Sequence, residues 1–401
     1  MDVLVVGGGI AGSMVSYYLS SAGFSVALAD ADMEAGVSTS IYNAGSLDER
    51  PSFTGVRPVA AAAASFLGRY SPVGATVGSL LRNAGWVLRA LKVDRRTRDP
   101  IEERLLNLSL ALWDDLAKGD PGLDYYSRRG LRLYMDFARA EEESRRTGGR
   151  LLDERDLEDI GFTGFQGGVE LESRWVNPHA VMRRMKEKLV EAGVEVRREE
   201  VHLKAESPGL VRAVNPELRA DAYVIAAGAW TDALCRPLGC RLGVLPARGV
   251  AVIAGYDEGA VELPALLEDL GAVVALHGRS TLRLTGYFEL AGYSTRGAAQ
   301  RAERLLARVG GHLRVRGLRA VEVGVGMRPC TYDQLPVVGA VPGYRNLYVA
   351  TGGCRRGVTM APLMGRIIVD VMSGRGLEGD MRALDPSRIV GPGGWPAASN
   401  G

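Results

Sequence analysis

The sequence predicts an α/β protein whose mainly parallel sheet, flanked by helices, is interrupted by inserted segments that build a second, antiparallel sheet. Three observations predict it. Residues 2–6 (DVLVV) are a short apolar run closed by glycines, followed by the helical pattern of 10–22 and another apolar run at 24–30. Such runs read as strands buried on both faces, and one intervening helix makes them parallel. Similar runs return late, at 220–228 (ADAYVIAAG) and in NLYVATGG at 346–353. Between them, 244–254, 272–277 and 280–289 alternate more and carry turn residues, the pattern of a half-solvated sheet.

The remaining elements follow in order. Gly23 closes the first helix, and apolar spacing makes 76–118 mainly helical. Residues 126–136 (YSRRGLRLYMD) read as a hairpin-like strand pair around Gly130. Pro178 opens a helix over 178–192 and Gly193 closes it, with VEVRREEVHLK (194–204) following as strand. Helices at 295–309 and 361–373 complete the list, and the chain after about 388 has little structure-forming content.

A chain of 401 residues exceeds what one core sustains, so two domains are expected. Its formal net charge of +2 gives no global attraction to nucleic acid or anionic lipid. Lysine occurs only at Lys92, Lys118, Lys186, Lys188 and Lys204, and glutamine only at Gln166, Gln300 and Gln334. Abundant arginine and few amides fit a thermophile; a GC-rich genome would bias composition the same way. Cys235, Cys240, Cys330 and Cys354 make no disulfide framework in so long a chain and read as small buried hydrophobes. The four histidines are scattered without ligand spacing, so no metal is expected. The start runs straight into glycines, unlike a signal peptide, and the run VAAAAASFL at 59–67 is too short to span a bilayer. The expected location is cytoplasmic, with peripheral attachment to the inner face of the membrane as the alternative.

Gly7-Gly8-Gly9-Ile10-Ala11-Gly12 matches G-x-G-x-x-G between a strand and a helix. Gly7 allows the tight turn, Gly9 lets a pyrophosphate approach the backbone, and Gly12 lets the helix pack on the strand. The helix N-terminus at Ile10 and Ala11 supplies free N–H groups to phosphates. Asp30, followed by Ala31, ends the second strand, where a carboxylate accepts from a ribose 2′-OH and repels a 2′-phosphate. This Rossmann-like fingerprint serves FAD and NAD alike and disfavours NADP.

Three further stretches distinguish these. GVSTSIYNAG (36–45), ADAYVIAAGAWTDAL (220–234) and the run from GMRPC to VMSG (326–374) resemble, in the right order, the D-amino-acid-oxidase-type flavoproteins. The resemblance is nearest to the D-amino-acid dehydrogenase branch, with glycine and sarcosine oxidases as neighbours. It implies a glutathione-reductase-type FAD-binding domain with an inserted antiparallel-sheet substrate domain. The expected division is 1–75, 145–235 and 322–388 for FAD, 76–144 and 236–321 for substrate, and 389–401 as tail. By the same resemblance, non-covalent FAD contacts Ser38, Thr39, Asn43, Ala44 and Gly45, then Val201, Ala227, Gly228 and Trp230. Gly326, Arg328, Gly352, Gly353, Cys354, Arg355, Gly357, Val358 and Thr359 complete the set.

Oxidising an amine beside a carboxylate moves a hydride from Cα to flavin N5. The protein must anchor the carboxylate, orient Cα–H and exclude water, and no nucleophile or acid–base dyad is needed. Arg328 matches the arginine with which the family clamps the carboxylate, a task suited to the guanidinium fork. Tyr42, Tyr287 and Tyr293 are the candidate phenols beside it, each weighed against plain packing, as is Tyr332 after the Arg328 loop; Arg248 reads as structural. Relatives commonly carry histidine or serine near where this chain has Cys354, so covalent flavin attachment and a soft neighbour of the ring are its two readings. Arg355 or Arg356 would meet an acidic substrate or a partner subunit. The leading function is a dehydrogenase of D-amino acids or a proline-like amine, passing electrons to a quinone or dye. A glycine- or sarcosine-type oxidase using oxygen, and a flavoprotein subunit of an electron-transfer complex, are the alternatives; a homo-oligomer or partner subunits are compatible with each.

Overall fold

In the computed structural model, which describes residues 1–31, 39–47, 73–75 and 77–390, the strand Asp2–Val6 lies inside a six-stranded sheet. The strand order is Val337–Ala340, Leu347–Thr351, Ala222–Ile225, Asp2–Val6, Ser25–Asp30, Glu195–Arg198. Every neighbouring pair is parallel except the first. The period of two buries both faces. Val3 and Val5 pack with Val15, Leu19, Ile367 and Ile368, while Leu4 and Val6 pack with Val201, Leu203 and Val211 behind the sheet.

The helix Gly357–Met372 starts earlier than the expected 361 and runs through Pro362. Proline leaves the Val358 carbonyl without its helical donor. Trp113, on the helix Arg95–Ala117, supplies one through Nε1–H at 3.2 Å. Ser109 of that helix donates to the Thr359 carbonyl at 2.7 Å and accepts from Leu363 N–H at 3.3 Å. The irregular turn is therefore held by a neighbouring helix.

The second sheet has ten strands. Arg319–Cys330, Leu245–Gly255, Thr281–Leu290 and Ala272–Gly278 run antiparallel in that order, followed by Ala265–Leu267, Tyr125–Tyr134, Gly167–Val176 and Ser46–Leu47. The helix Ala298–Gly310 covers its outer face, with Leu305 and Val309 against Val250, Val252, Leu282 and Leu284. Among the described residues no helix is long and apolar enough to cross a membrane; the 59–67 run lies outside the described residues.

Several expectations are corrected. Tyr125–Tyr134 is one continuous strand, with Gly130 paired to Leu171 rather than turning a hairpin. The glycine is there for room: a Cβ would sit 2.5 Å from Ser173 Oγ. The run 194–204 splits between the parallel strand Glu195–Arg198 and Leu203–Ser207, which pairs with Leu210–Ala213. Residues 150–153 and 167–176, placed with the FAD-binding part of the expected division, pair in the large sheet instead, through strand register invisible to local pattern. The start of the expected tail is packed at the residues described there. Ile389 is in the core, and Arg388 pairs with Asp333 at 2.9 Å.

Candidate functional site

A cavity of about 780 Å³ opens where the C-terminal ends of the parallel strands meet the inner face of the large sheet. Open α/β sheets bind ligands at such strand ends. Its lining includes Gly7, Gly9, Ile10, Ala11, Asp30, Ala31 and Val201. Gly7 takes φ +111°, and a Cβ on it would lie 2.6 Å from the Ala226 carbonyl. Asp30 accepts from Gly8 N–H at 2.5 Å, which fixes its carboxylate at the turn. No side chain caps the helix Ile10–Ser21 at Gly9 and its first turn has no acid, although Ile10 N–H donates to Ser40 Oγ at 3.0 Å. That N-terminus retains donors and partial positive charge for an anionic group.

The wall also includes Thr39, Asn43 and Ala44, then Ala227, Gly228 and Trp230, then Gly326, Arg328, Gly352, Cys354, Arg355, Gly357 and Val358. A second uncapped helix N-terminus, at Gly357, thus meets the same space. Thr39 ties this wall to the sheet, its Oγ1 accepting from Met327 N–H and donating to Met327 C=O, both at 2.9 Å. The size and chemistry fit FAD: two helix N-termini and a glycine turn suited to pyrophosphate and ring edge, an acid suited to a ribose hydroxyl, and a cavity of ligand volume.

Not every expected residue faces the cavity. Gly12 stands behind the turn, where a Cβ would be 1.8 Å from the Gly7 carbonyl. Gly45 approaches the Val176 carbonyl, Gly353 holds the loop at φ +75°, and Thr359 is buried against Ser109. Ser38 lies outside the described residues.

Arg328 folds back over the bare backbone of Gly249, where a Cβ would be 2.2 Å from its Nη1. It donates to the Tyr287 carbonyl at 2.8 Å. Burial, and then the Arg355 charge, push this guanidinium down to about 10, so it stays protonated at neutral pH. Among the described residues no carboxylate pairs with it, and the surface it retains opens into the cavity. Tyr42 lines the cavity and lies across Gly324, its phenol pushed up by burial.

Tyr287 is corrected. It offers Arg328 its carbonyl, from a backbone φ of +65°, while its ring stacks 5.3 Å from the Arg308 guanidinium on the far side. Tyr293 donates to the Ala229 carbonyl at 2.9 Å, and Arg248 pairs with Glu289 at 2.8 Å. The cysteine reading is corrected too. Cys330 and Cys354 form a disulfide, because the antiparallel strands between them return the chain so that Cys354 N–H reaches the Pro329 carbonyl at 2.9 Å. Cys235 and Cys240 are the free, buried pair.

Local reading missed the residues that the large sheet contributes. Thr285, Val273, Leu266 and Gly249 line the cavity from four strands. Two residues from Thr285, and so on its face, lies Arg283, 2 % exposed, donating to the Ile41 carbonyl at 2.8 Å. The only signal was a polar residue every second position in TLRLT. His179 and His277, with ring centroids 6.3 Å apart, are both held below the usual 6.5 by burial and then by Arg283. The folded imidazoles therefore bind protons less readily than unfolded ones, and their stabilisation is complete above 6.5 and declines as pH falls below it. We expect the melting temperature to drop on that acid side, and a His179→Gln/His277→Gln variant to drop less. Superimposable pH profiles would refute this.

Comparisons with known proteins agree with this geometry. Residues 2–371 match the DAO family, described as FAD dependent oxidoreductase. A D-amino acid dehydrogenase of a Methylobacterium species is 30% identical over 410 residues, covering 94% of this chain and 96% of that protein. Glycine oxidase from Geobacillus kaustophilus superimposes with a TM-score of 0.73 at 20% identity, covering 97% of this chain and 99% of that one. Iminodiacetate oxidase from Chelativorans sp. BNC1 does so at 0.72 and 21%, covering 96% and 98%.

Proposed function

Because this chain belongs to the DAO family of FAD dependent oxidoreductases, we propose that it oxidises a small amino acid at the carbon bearing its amine. The observation that carries this reading is Arg328, a cation in the cavity wall with no acid beside it among the described residues. When bound, FAD would supply the oxidant for the hydride leaving Cα. The protein does the rest. Arg328 receives the substrate carboxylate, with its orientation fixed by the Tyr287 carbonyl and by packing over Gly249. Tyr42 closes the same wall with its phenol protonated, since burial opposes ionisation. The sheet face under Thr285 and Val273 keeps bulk water from the reacting carbon.

D-Amino acids are the favoured substrates, supported by the D-amino acid dehydrogenase relative named above, and a quinone is the acceptor proposed for them. The Cys330–Cys354 bond supports non-covalent FAD, because it occupies the sulfur that attachment would need. Anaerobic mixing of the yellow protein with D- and L-amino acids tests the reading. One enantiomeric series should bleach the flavin bands, and air should restore them slowly for a dehydrogenase. Bands that no amino acid bleaches would overturn it.

A further inference from the structure

The Cys330–Cys354 disulfide lies beside the cavity. It joins the end of the strand that carries Arg328 to the loop that starts the helix Gly357–Met372. Cys354 lines the cavity alongside Arg328, Pro329, Gly352 and Gly357. Cys330, wholly buried behind it, packs with Ala247. The other two cysteines are reduced and buried elsewhere, with Cys240 Sγ donating to the Cys235 carbonyl at 3.3 Å.

The surroundings suit a disulfide that opens and closes. A thiol is stabilised as thiolate by neighbouring cations and by a helix N-terminus. Cys354 has both: Arg355 follows it, Arg328 shares its wall, and an uncapped sixteen-residue helix begins three residues later. Its own φ of +45° belongs to the left-handed region, so the sulfur is aimed by an uncommon backbone conformation. The Cys354 N–H to Pro329 carbonyl bond keeps the two segments together when the sulfurs part, which favours reclosure.

We infer that Cys330–Cys354 is a second redox centre that exchanges an electron pair with the flavin. The inference rests on the FAD-dependent reading of the cavity. The transfer balances as reduced flavin anion plus disulfide plus one proton giving oxidised flavin plus two thiols. The S–S bond breaks and two S–H bonds form, with the second proton and both electrons coming from the reduced flavin. The reverse returns the pair to the flavin once a quinone-class acceptor has drained it. The protein thus holds four electrons per active site, where a flavin alone holds two.

The test counts electrons and thiols in FAD-loaded protein without oxygen. Titration with dithionite should need about two equivalents per flavin for complete bleaching, and about one in Cys330→Ser/Cys354→Ser. Alkylation under denaturant, followed by peptide mass spectrometry, should label Cys330 and Cys354 only after reduction, and Cys235 and Cys240 before and after. Flavin-free protein given the same dithionite should keep Cys330 and Cys354 unlabelled. Complete bleaching of the unaltered protein at one equivalent, with both cysteines unlabelled, would overturn the inference, as would labelling that needs no flavin. Neither outcome touches the amino acid reading, because dithionite replaces the substrate. Failure of the protein to take up FAD would overturn both.

Discussion

Arg328→Leu should lower kcat/KM for an α-amino acid about 150-fold while leaving the protein yellow. The lost interaction is a charged, paired hydrogen bond in a poorly solvated wall, worth roughly 3 kcal/mol. Arg328→Lys should recover only part of it, because an ammonium replaces the two-pronged fork by a point charge. On the proposed reading, the guanidinium would do more for substrate than for the fold. Its hydrogen-bond partner among the described residues is the Tyr287 carbonyl, and burial already pushes it down to about 10. The variant should therefore fold at least as well as the parent. Steady-state kinetics at equal flavin content check this, and unchanged kinetics would remove Arg328 from the site.

Two glycines of the first turn should fail in different ways. Gly9 sits at φ −69° and ψ −178°, a conformation that any residue adopts, and it lines the cavity. Gly9→Val should fold, at a cost of about 1 kcal/mol for a poor helix cap, yet emerge colourless because its side chain fills the pyrophosphate position. Gly12→Val should not reach that stage. A Cβ there would lie 1.8 Å from the Gly7 carbonyl, and backbone cannot yield as a side chain can. A loss of about 3 kcal/mol or more is expected, read as soluble yield and thermal midpoint. A yellow Gly9→Val protein would contradict the assignment of the turn to a dinucleotide.

The fingerprint was legible because its determinants are local. Asp2–Val6, the glycines and Asp30 lie within thirty residues, and each conformational demand falls on the residue that meets it. Arg328 was found through its neighbours in GMRPC, since one arginine among so many has no local mark of its own. Gly130 misled the local reading because turn and close approach both select glycine, and only the strand opposite distinguishes them.

The sequence by itself determined the parallel dinucleotide unit and the glycine turn at its first helix, and it singled out the arginine proposed as the clamp. Apolar period, glycine position and short motifs act over a few residues and survive without neighbours. Only the tertiary structure decided that Tyr287 offers a carbonyl and not a phenol, that Arg283 and Thr285 share one sheet face beside the cavity, and that Cys330 meets Cys354. Each depends on strand register or on the return of a distant segment. Those are set by the packing of two sheets whose contacts join residues far apart in the chain.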